Sequence, residues 1–331
     1  AELSRHGRWS CGGATQLLAC TDGWIAVSLA RPDDIELLPA WLGTHDLVAG
    51  TCGRAGAELV ALGGELGIPC ARLGEVTAER PAFAATRLAA GPPRPIAGAV
   101  VVDLSSLWAG PLCGHLLTIA GARTIKVEST RRPDGGRTGP AGMYDLLHTG
   151  QASVALDFSD PSDRRRLAAL LATADVVIEA SRPRALAQLG VDAAAVASSG
   201  RTVWVSITGY GRDAPGASRV AFGDDAAVAG GLVAVDAVGG PVFCADAIAD
   251  PLSGLVAAAA TLDALRSGGG WLVDVSMSGV AAWCARRRRA PAPVSTAWAG
   301  PVGAPRARPI IGTAPALGAD NRTVFRDLDI P

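Results

Sequence analysis

Three observations predict a doubly wound α/β protein, a parallel sheet with helices on both faces. From residue 96 onward, short strand-like runs alternate with helix-length stretches. The runs are near-continuously apolar and rich in β-branched residues, the mark of strands buried on both faces. Composition agrees: 49% of the 331 residues are hydrophobic and 18% are charged, enough to bury a large core. A chain of this length accommodates a large domain and a smaller one.

Residues 1–85 read as the smaller α/β unit, with a strand at 24–29 and helices at 33–42 and 55–66. Residues 86–95 (TRLAAGPPRP) are rich in Pro and Gly and read as a linker. The large unit, 96–331, opens with a strand at 99–104 (AVVVDL), a helix at 110–120 and a strand at 124–128 (TIKVE). Further strands are expected at 153–158, 176–180, 203–208 and 271–276, with an amphipathic helix at 160–173 and an alanine-rich one at 255–265. The arginine run 286–289 and the Ala/Pro-rich stretch to residue 305 read as exposed connection.

Net charge is −1, which argues against nucleic acid as a partner. No apolar run reaches the length of a membrane span without a charge, and the polar opening around Arg5, His6 and Arg8 has no leader pattern. The seven scattered cysteines include no C-x-x-C pair and no histidine at metal-ligand spacing, so reduced thiols, no metal and a cytoplasmic setting are expected.

The turn after the first large-unit strand lacks the G-x-G-x-x-G spacing of dinucleotide binding, and no P-loop lysine motif occurs. His6, His45, His115 and His148 do not cluster and are assigned no role. Asp224 and Asp225 read as helix-start acids. Arg131, Arg132, Arg182 and Arg184 follow the carboxyl ends of strands, where a polyphosphate ligand would want guanidinium groups. Asp250, in 248–254 (IADPLSG), stands where the alanine-rich helix begins. Two readings are open: it ties off free N–H groups as a cap, or those groups hold it ionised as a nucleophile.

Six strings in order resolve this choice: 101–128 (VVDLSSLWAGPLCGHLLTIAGARTIKVE), 153–158 (SVALDF), 174–191 (ADVVIEASRPRALAQLGV), 205–211 (VSITGYG), 248–254 (IADPLSG) and 271–277 (WLVDVSM). Together they resemble the family III CoA-transferases of the CaiB/BaiF type, a group that also contains 2-methylacyl-CoA racemases. The resemblance implies that Asp250 attacks an acyl-CoA thioester and carries CoA as a covalent aspartyl intermediate to a carboxylic acid. It implies a CoA groove at Ser106, Trp108, Ala109, Ser129, Leu156, Ala180, Ser181, Arg182, Gln188 and Leu189. It also implies a Rossmann-like large domain and a homodimer. Gly239 and Gly240 are candidate oxyanion donors, and Gly12 and Gly13 resemble the glycine loop that covers the site in transferases.

Several positions depart from the family pattern. Gln151-Ala152 replaces a basic pair, and Ser181-Arg182-Pro183-Arg184 replaces an aromatic- and glycine-containing turn. Phe222 followed by Gly223 stands where the racemases carry a His-Asp pair, which argues against two-base racemisation. The small-domain strings lie at 10–30 and 65–76, ahead of the large domain, and 306–328 resembles the family's return segment. That order implies a permuted arrangement; the alternative is that residues 1–95 are a remnant of a second copy. The competing functions are a racemase or isomerase and a non-catalytic acyl-CoA-binding protein.

Overall fold

In the computed structural model the described residues are 4, 6–77, 81–139, 142–181, 183–213, 216–286 and 308–331. The N-terminal unit is a three-stranded antiparallel sheet in the order β1 (Thr15–Cys20), β2 (Gly23–Ser28), β3 (Cys70–Arg72). The expected strand at 24–29 is β2, whereas β1 and β3 were not anticipated. The helix expected at 33–42 is two short helices, Pro32–Glu36 and Leu38–Leu42, broken by Pro39. Helix Gly56–Leu66 backs the sheet, and Leu18, Ile25, Val27, Trp41 and Leu59 form a core of their own.

The large sheet contains β4 (Phe83–Ala89), β5 (Val100–Asp103), β6 (Arg123–Ser129), β7 (Ala152–Leu156), β8 (Val176–Glu179), β9 (Val203–Thr208) and β12 (Gly270–Ser276). Between β9 and β12 lies a two-stranded hairpin, β10 (Val233–Val235) with β11 (Pro241–Phe243). The seven-stranded order is β4-β12-β9-β8-β5-β6-β7. All pairs are parallel except β4 with β12. The chain leaves β5 toward β6 and β7 on one side and toward β8, β9 and β12 on the other. The topological switch point therefore lies between the carboxyl ends of β5 and β8, where open α/β sheets bind ligands.

Successive strand residues enter opposite cores. Val101, Val176 and Val203 pack with helices Ala109–Ile119, Ala249–Ser267 and Met277–Arg286. Val102, Val177 and Trp204 pack on the other face, with Leu167, Leu170 and Leu171 of helix Pro161–Thr173. This period of two, with apolar side chains on both faces, underlies the continuous hydrophobic runs in the sequence.

Three expectations are corrected. The linker expected at 86–95 is in its first half the edge strand β4, which pairs with β12 and whose first residues are exposed. The helix expected at 255–265 begins earlier, at Ala249, so that Asp250 lies within its first turn. The connection expected after Cys284 is helical to Arg286, and residues 287–307 lie outside the described residues. The segment from 308 closes the β7 edge through side chains that imitate a strand. Asp320 accepts the Ser153 N–H at 2.8 Å and donates its own N–H to the Ser153 carbonyl at 2.9 Å. Asn321 accepts from and donates to the Ala155 backbone, each at 2.9 Å. An edge satisfied in this way cannot recruit another chain through its backbone.

Helix Gly223–Ala229 joins the two units. Leu17 and Ala26 of the N-terminal sheet pack on its Val228, and Gly74 N–H donates to the Val228 carbonyl at 2.9 Å.

Candidate active site

Asp250 does not cap its own helix. Its backbone N–H bonds the Ala247 carbonyl at 2.9 Å, and the N-cap position is Ile248, with no side-chain cap. Its half-buried carboxylate instead faces the Ala109 backbone N–H, at the start of helix Ala109–Ile119, which favours its charged form. One helix therefore carries the acid and another aims its N-terminus at it, where free N–H groups and the dipole favour negative charge. Two glycines permit this approach. A Cβ on Gly254 would come 2.6 Å from the Ala109 carbonyl. A Cβ on Gly223 would overlap Asp250 Oδ2 and the Ala247 carbonyl.

Electrostatics oppose the helix terminus. Burial, then Asp224 and Asp225, push the Asp250 carboxyl up to about 7, the Ala109 N–H pulls it down, and Asp246 raises it further. Burial pushes Asp225 up to about 7 as well. Asp225 accepts the Phe222 N–H at 2.8 Å and the Ser28 hydroxyl at 3.0 Å, the helix-start role expected of it. Asp224, pushed up to about 6 chiefly by burial, accepts the Ala247 N–H at 2.8 Å. That bond pins a strained loop, because Ala245 and Ala247 have φ of 62° and 42°, a region that alanine rarely adopts.

The N-terminal unit reaches the same place. Ser10 and Thr15 face Asp224 and hold its carboxyl down against burial, and the Gly12 N–H does the same for Asp246, whose carboxyl is raised by burial. Gly12 and Gly13 form an exposed turn, with Gly13 at φ +75°. Gly239 and Gly240 are not free as oxyanion donors. Gly240 N–H bonds Asp236 Oδ1 at 2.7 Å and Gly239 N–H bonds the Asp236 carbonyl at 3.1 Å, both closing the β10–β11 turn.

The other expected residues lie along the carboxyl ends of the strands. Ser106 and Trp108 are in the turn after β5, which leads into Ala109, and Ser129 ends β6. Ala180 and Ser181 follow β8; Ser181 donates to Glu179 at 2.9 Å, and Arg182 lies outside the described residues. Gln188 is exposed and Leu189 half-buried. Leu156 is only 1% exposed and belongs to the core, so its backbone alone faces the strand ends. Gln151 is buried against His148 at 2.8 Å and cannot stand in for the family's basic pair. Arg131 pairs with Asp157 at 3.2 Å, and Arg132 is exposed. Arg184 borders a cleft of about 450 Å³ with Arg31, Asp33, Asp34 and Glu65, too acidic a lining for a polyphosphate.

Sequence reasoning missed Asp246, the tethering role of Asp224, and a buried group beneath the β5 turn. There Lys126 pairs with Asp134 at 3.1 Å, with side chains 2% and 0% exposed. A lysine between Ile125 and Val127, in the middle of a strand, was the available signal.

Comparisons with known proteins give the family. A model of "CoA-transferase family III" matches residues 96–315. The succinate–glutarate CoA-transferase of Agrobacterium fabrum is 29% identical over 203 residues, covering 55% of this chain and 51% of that protein. The succinyl-CoA–D-citramalate CoA-transferase of Chloroflexus aurantiacus is 30% identical over 200 residues, covering 56% and 50%. The chain thus spans about half the length of the curated relatives it matches. A crystal structure of a CAIB/BAIF family protein from Brucella suis superposes with a TM-score of 0.53 at 30% identity, covering 57% of this chain and 55% of that one. Rv3272 from Mycobacterium tuberculosis gives 0.52 at 31%, covering 57% of each. With the model matching well over half its length, the chain belongs to the family III CoA-transferases.

Proposed function

We propose that the protein moves CoA from an acyl-CoA to a carboxylic acid, with Asp250 as the covalent nucleophile. The observation that carries this reading is the half-buried Asp250 carboxylate at the start of helix Ala109–Ile119, facing the Ala109 N–H. An oxygen of Asp250 attacks the thioester carbonyl, the C–S bond breaks, and CoA leaves as thiolate with the electron pair. The thiolate then attacks the Asp250 carbonyl of the mixed anhydride, releasing the donor acid and leaving an aspartyl-CoA thioester. The acceptor carboxylate attacks that thioester, and the thiolate, expelled again, takes the acceptor's acyl carbon and regenerates Asp250. Each step exchanges bonds of similar energy, and the Ala109 N–H steadies the negative charge that develops on the Asp250 carbonyl oxygen when a nucleophile attacks it.

Further parts of the reading are a CoA groove over β5, β6 and β8, closure of the site by the Gly12–Gly13 turn, a cytoplasmic setting and a homodimer. The N-terminal unit serves as the family's small domain, placed ahead of the large one; the approach of Ser10, Thr15 and Gly12 to the acids around Asp250, and the Ser28 bond to Asp225, support this over a remnant. Among the described residues no helix is long and apolar enough to cross a membrane. A racemase finds less support, since Phe222 occupies the histidine position and Gly223 packs against Asp250.

The relatives above are named for succinate, glutarate and D-citramalate, so succinyl-CoA with a short dicarboxylate acceptor is the first pair to assay. Chromatography of the thioester products should show acceptor-CoA formed by the native protein and none by Asp250→Ala. Equal transfer by the two contradicts the proposal. α-Proton exchange in heavy water without CoA transfer would favour the racemase.

A further inference from the structure

We propose that Lys126 and Asp134 are a buried positioning pair, holding the turn after β5 so that the Ala109 N–H meets Asp250. The inference rests on the reading of Asp250 as nucleophile. Both side chains sit beneath the turn and touch neither Asp250 nor the open groove. Lys126 Nζ donates to the Ser105 carbonyl and pairs with Asp134 Oδ2 at 3.1 Å. Asp134 Oδ1 accepts the Leu107 N–H and the Gly136 N–H, each at 2.9 Å. Asp103 Oδ1 accepts the Ser105 N–H at 2.8 Å. Apart from the ion pair itself and the Gly136 N–H, these bonds converge on residues 105–107, immediately before the helix that starts at Ala109.

The turn needs such support. Leu107 has φ of 70° and is 46% exposed, so neither its own conformation nor packing holds it there. Trp108, the N-cap residue of the next helix, has no side-chain cap and an irregular backbone at φ −131°, ψ −56°. Without the clamp, Leu107 relaxes to negative φ and the start of the helix swings away from Asp250. A buried ion pair contributes little net stability, and its best-attested use is to specify one arrangement. Here the arrangement specified is the aim of one amide. The chain's single lysine is thus committed to the turn and cannot neutralise a phosphate of CoA.

The test reads the ionisation of Asp250, faced by Asp224, Asp225 and Asp246 and by the Ala109 N–H. Of these only the N–H favours the charged form, so its withdrawal moves the carboxyl upward. The carboxyl is titrated by ¹³C NMR, assigned by difference with Asp250→Asn. Two variants remove both buried charges. Lys126→Met with Asp134→Leu abolishes the clamp, and Lys126→Met with Asp134→Asn keeps an oxygen to accept the Leu107 N–H. The leucine version should titrate about one unit higher and lose roughly ten- to a hundredfold in kcat, the scale of an ångström-sized misplacement. The asparagine version should keep the native midpoint and most of the rate. Native midpoints in both overturn the inference, as does an equal shift in both. A wild-type protein that forms no adduct at Asp250 overturns the proposed function instead, while the NMR midpoint still reports whether the clamp aims the amide. Should the leucine version not fold, hydrogen exchange of the wild type decides: the exposed Leu107 amide should exchange about a hundredfold slower than an open loop amide, a clamp of roughly 3 kcal/mol, and exchange at the open rate overturns the inference.

Discussion

At the scale of residues, the site is a contest between burial and a single amide. As the proposed nucleophile, Asp250 would react only when ionised, and its carboxyl is pushed up to about 7, so the proposed covalent step should accelerate as pH rises through about 7. A pre-steady-state rate that falls over that window contradicts the assignment. Asp225 has the opposite consequence for stability. Its carboxyl is pushed up to about 7 in the fold from an ordinary 3.8, so the folded state holds the proton more tightly. That contribution is full below about 4 and is lost as pH rises through about 7. Asp225→Asn, which keeps an oxygen for Phe222 and Ser28, should therefore raise the melting temperature at pH 8 by a few degrees and by much less at pH 5. Thermal melts showing an equal gap at both pH values would refute the burial of a charge there. Little of this was legible: Asp250 could be told from a cap only through the family strings around it, because an acid at a helix start serves either purpose. Asp224 was read as a capping acid, and its bond to a loop 23 residues further on has no local sequence signature.

At the scale of elements, the site depends on two helices that touch at glycine. Gly254 sets helix Ala249–Ser267 against the first turn of helix Ala109–Ile119. Gly254→Ala places a methyl 2.6 Å from the Ala109 carbonyl, and the helices must part. Denaturant unfolding should show a loss of about 1–3 kcal/mol, with a disproportionate fall in kcat because the amide retreats with its helix. A stability loss with native kcat would mean that the approach is only packing. The strands were legible because Val101/Val102 and Val176/Val177 feed opposite cores and leave an unbroken apolar run. Strand β4 was not legible. Its sequence, FAATRLA, is mostly exposed on an antiparallel edge, so no buried face left a pattern, and the Gly and Pro after it drew the boundary too far upstream.

At the scale of the whole molecule, the N-terminal unit is bound to the large one through helix Gly223–Ala229 and Arg219. Arg219 lies 3.7 Å from the Tyr210 ring centroid and donates to Glu75 at 2.6 Å and to the Cys70 carbonyl at 3.0 Å. Removing it leaves Glu75 without this half-buried ion pair and the Cys70 carbonyl without that donor, a loss of about 3 kcal/mol. Arg219→Ala should speed hydrogen exchange across β1–β3 while β5, β8 and β9 keep native protection. Uniform exchange would make the two units a single cooperative body. The unit is read as small-domain material by resemblance alone, and its approach to Asp224 and Asp246 was not legible, because only folding brings residues 10–15 beside 224–246.

The central claim is a covalent one and is tested most directly at the carboxylate. The protein is incubated with acyl-CoA, treated with hydroxylamine and digested, and the peptide containing Asp250 is weighed by mass spectrometry. A hydroxamate on Asp250 is expected, dependent on acyl-CoA and absent when the acid is replaced by asparagine. An unmodified Asp250 under conditions in which CoA is being transferred would contradict it.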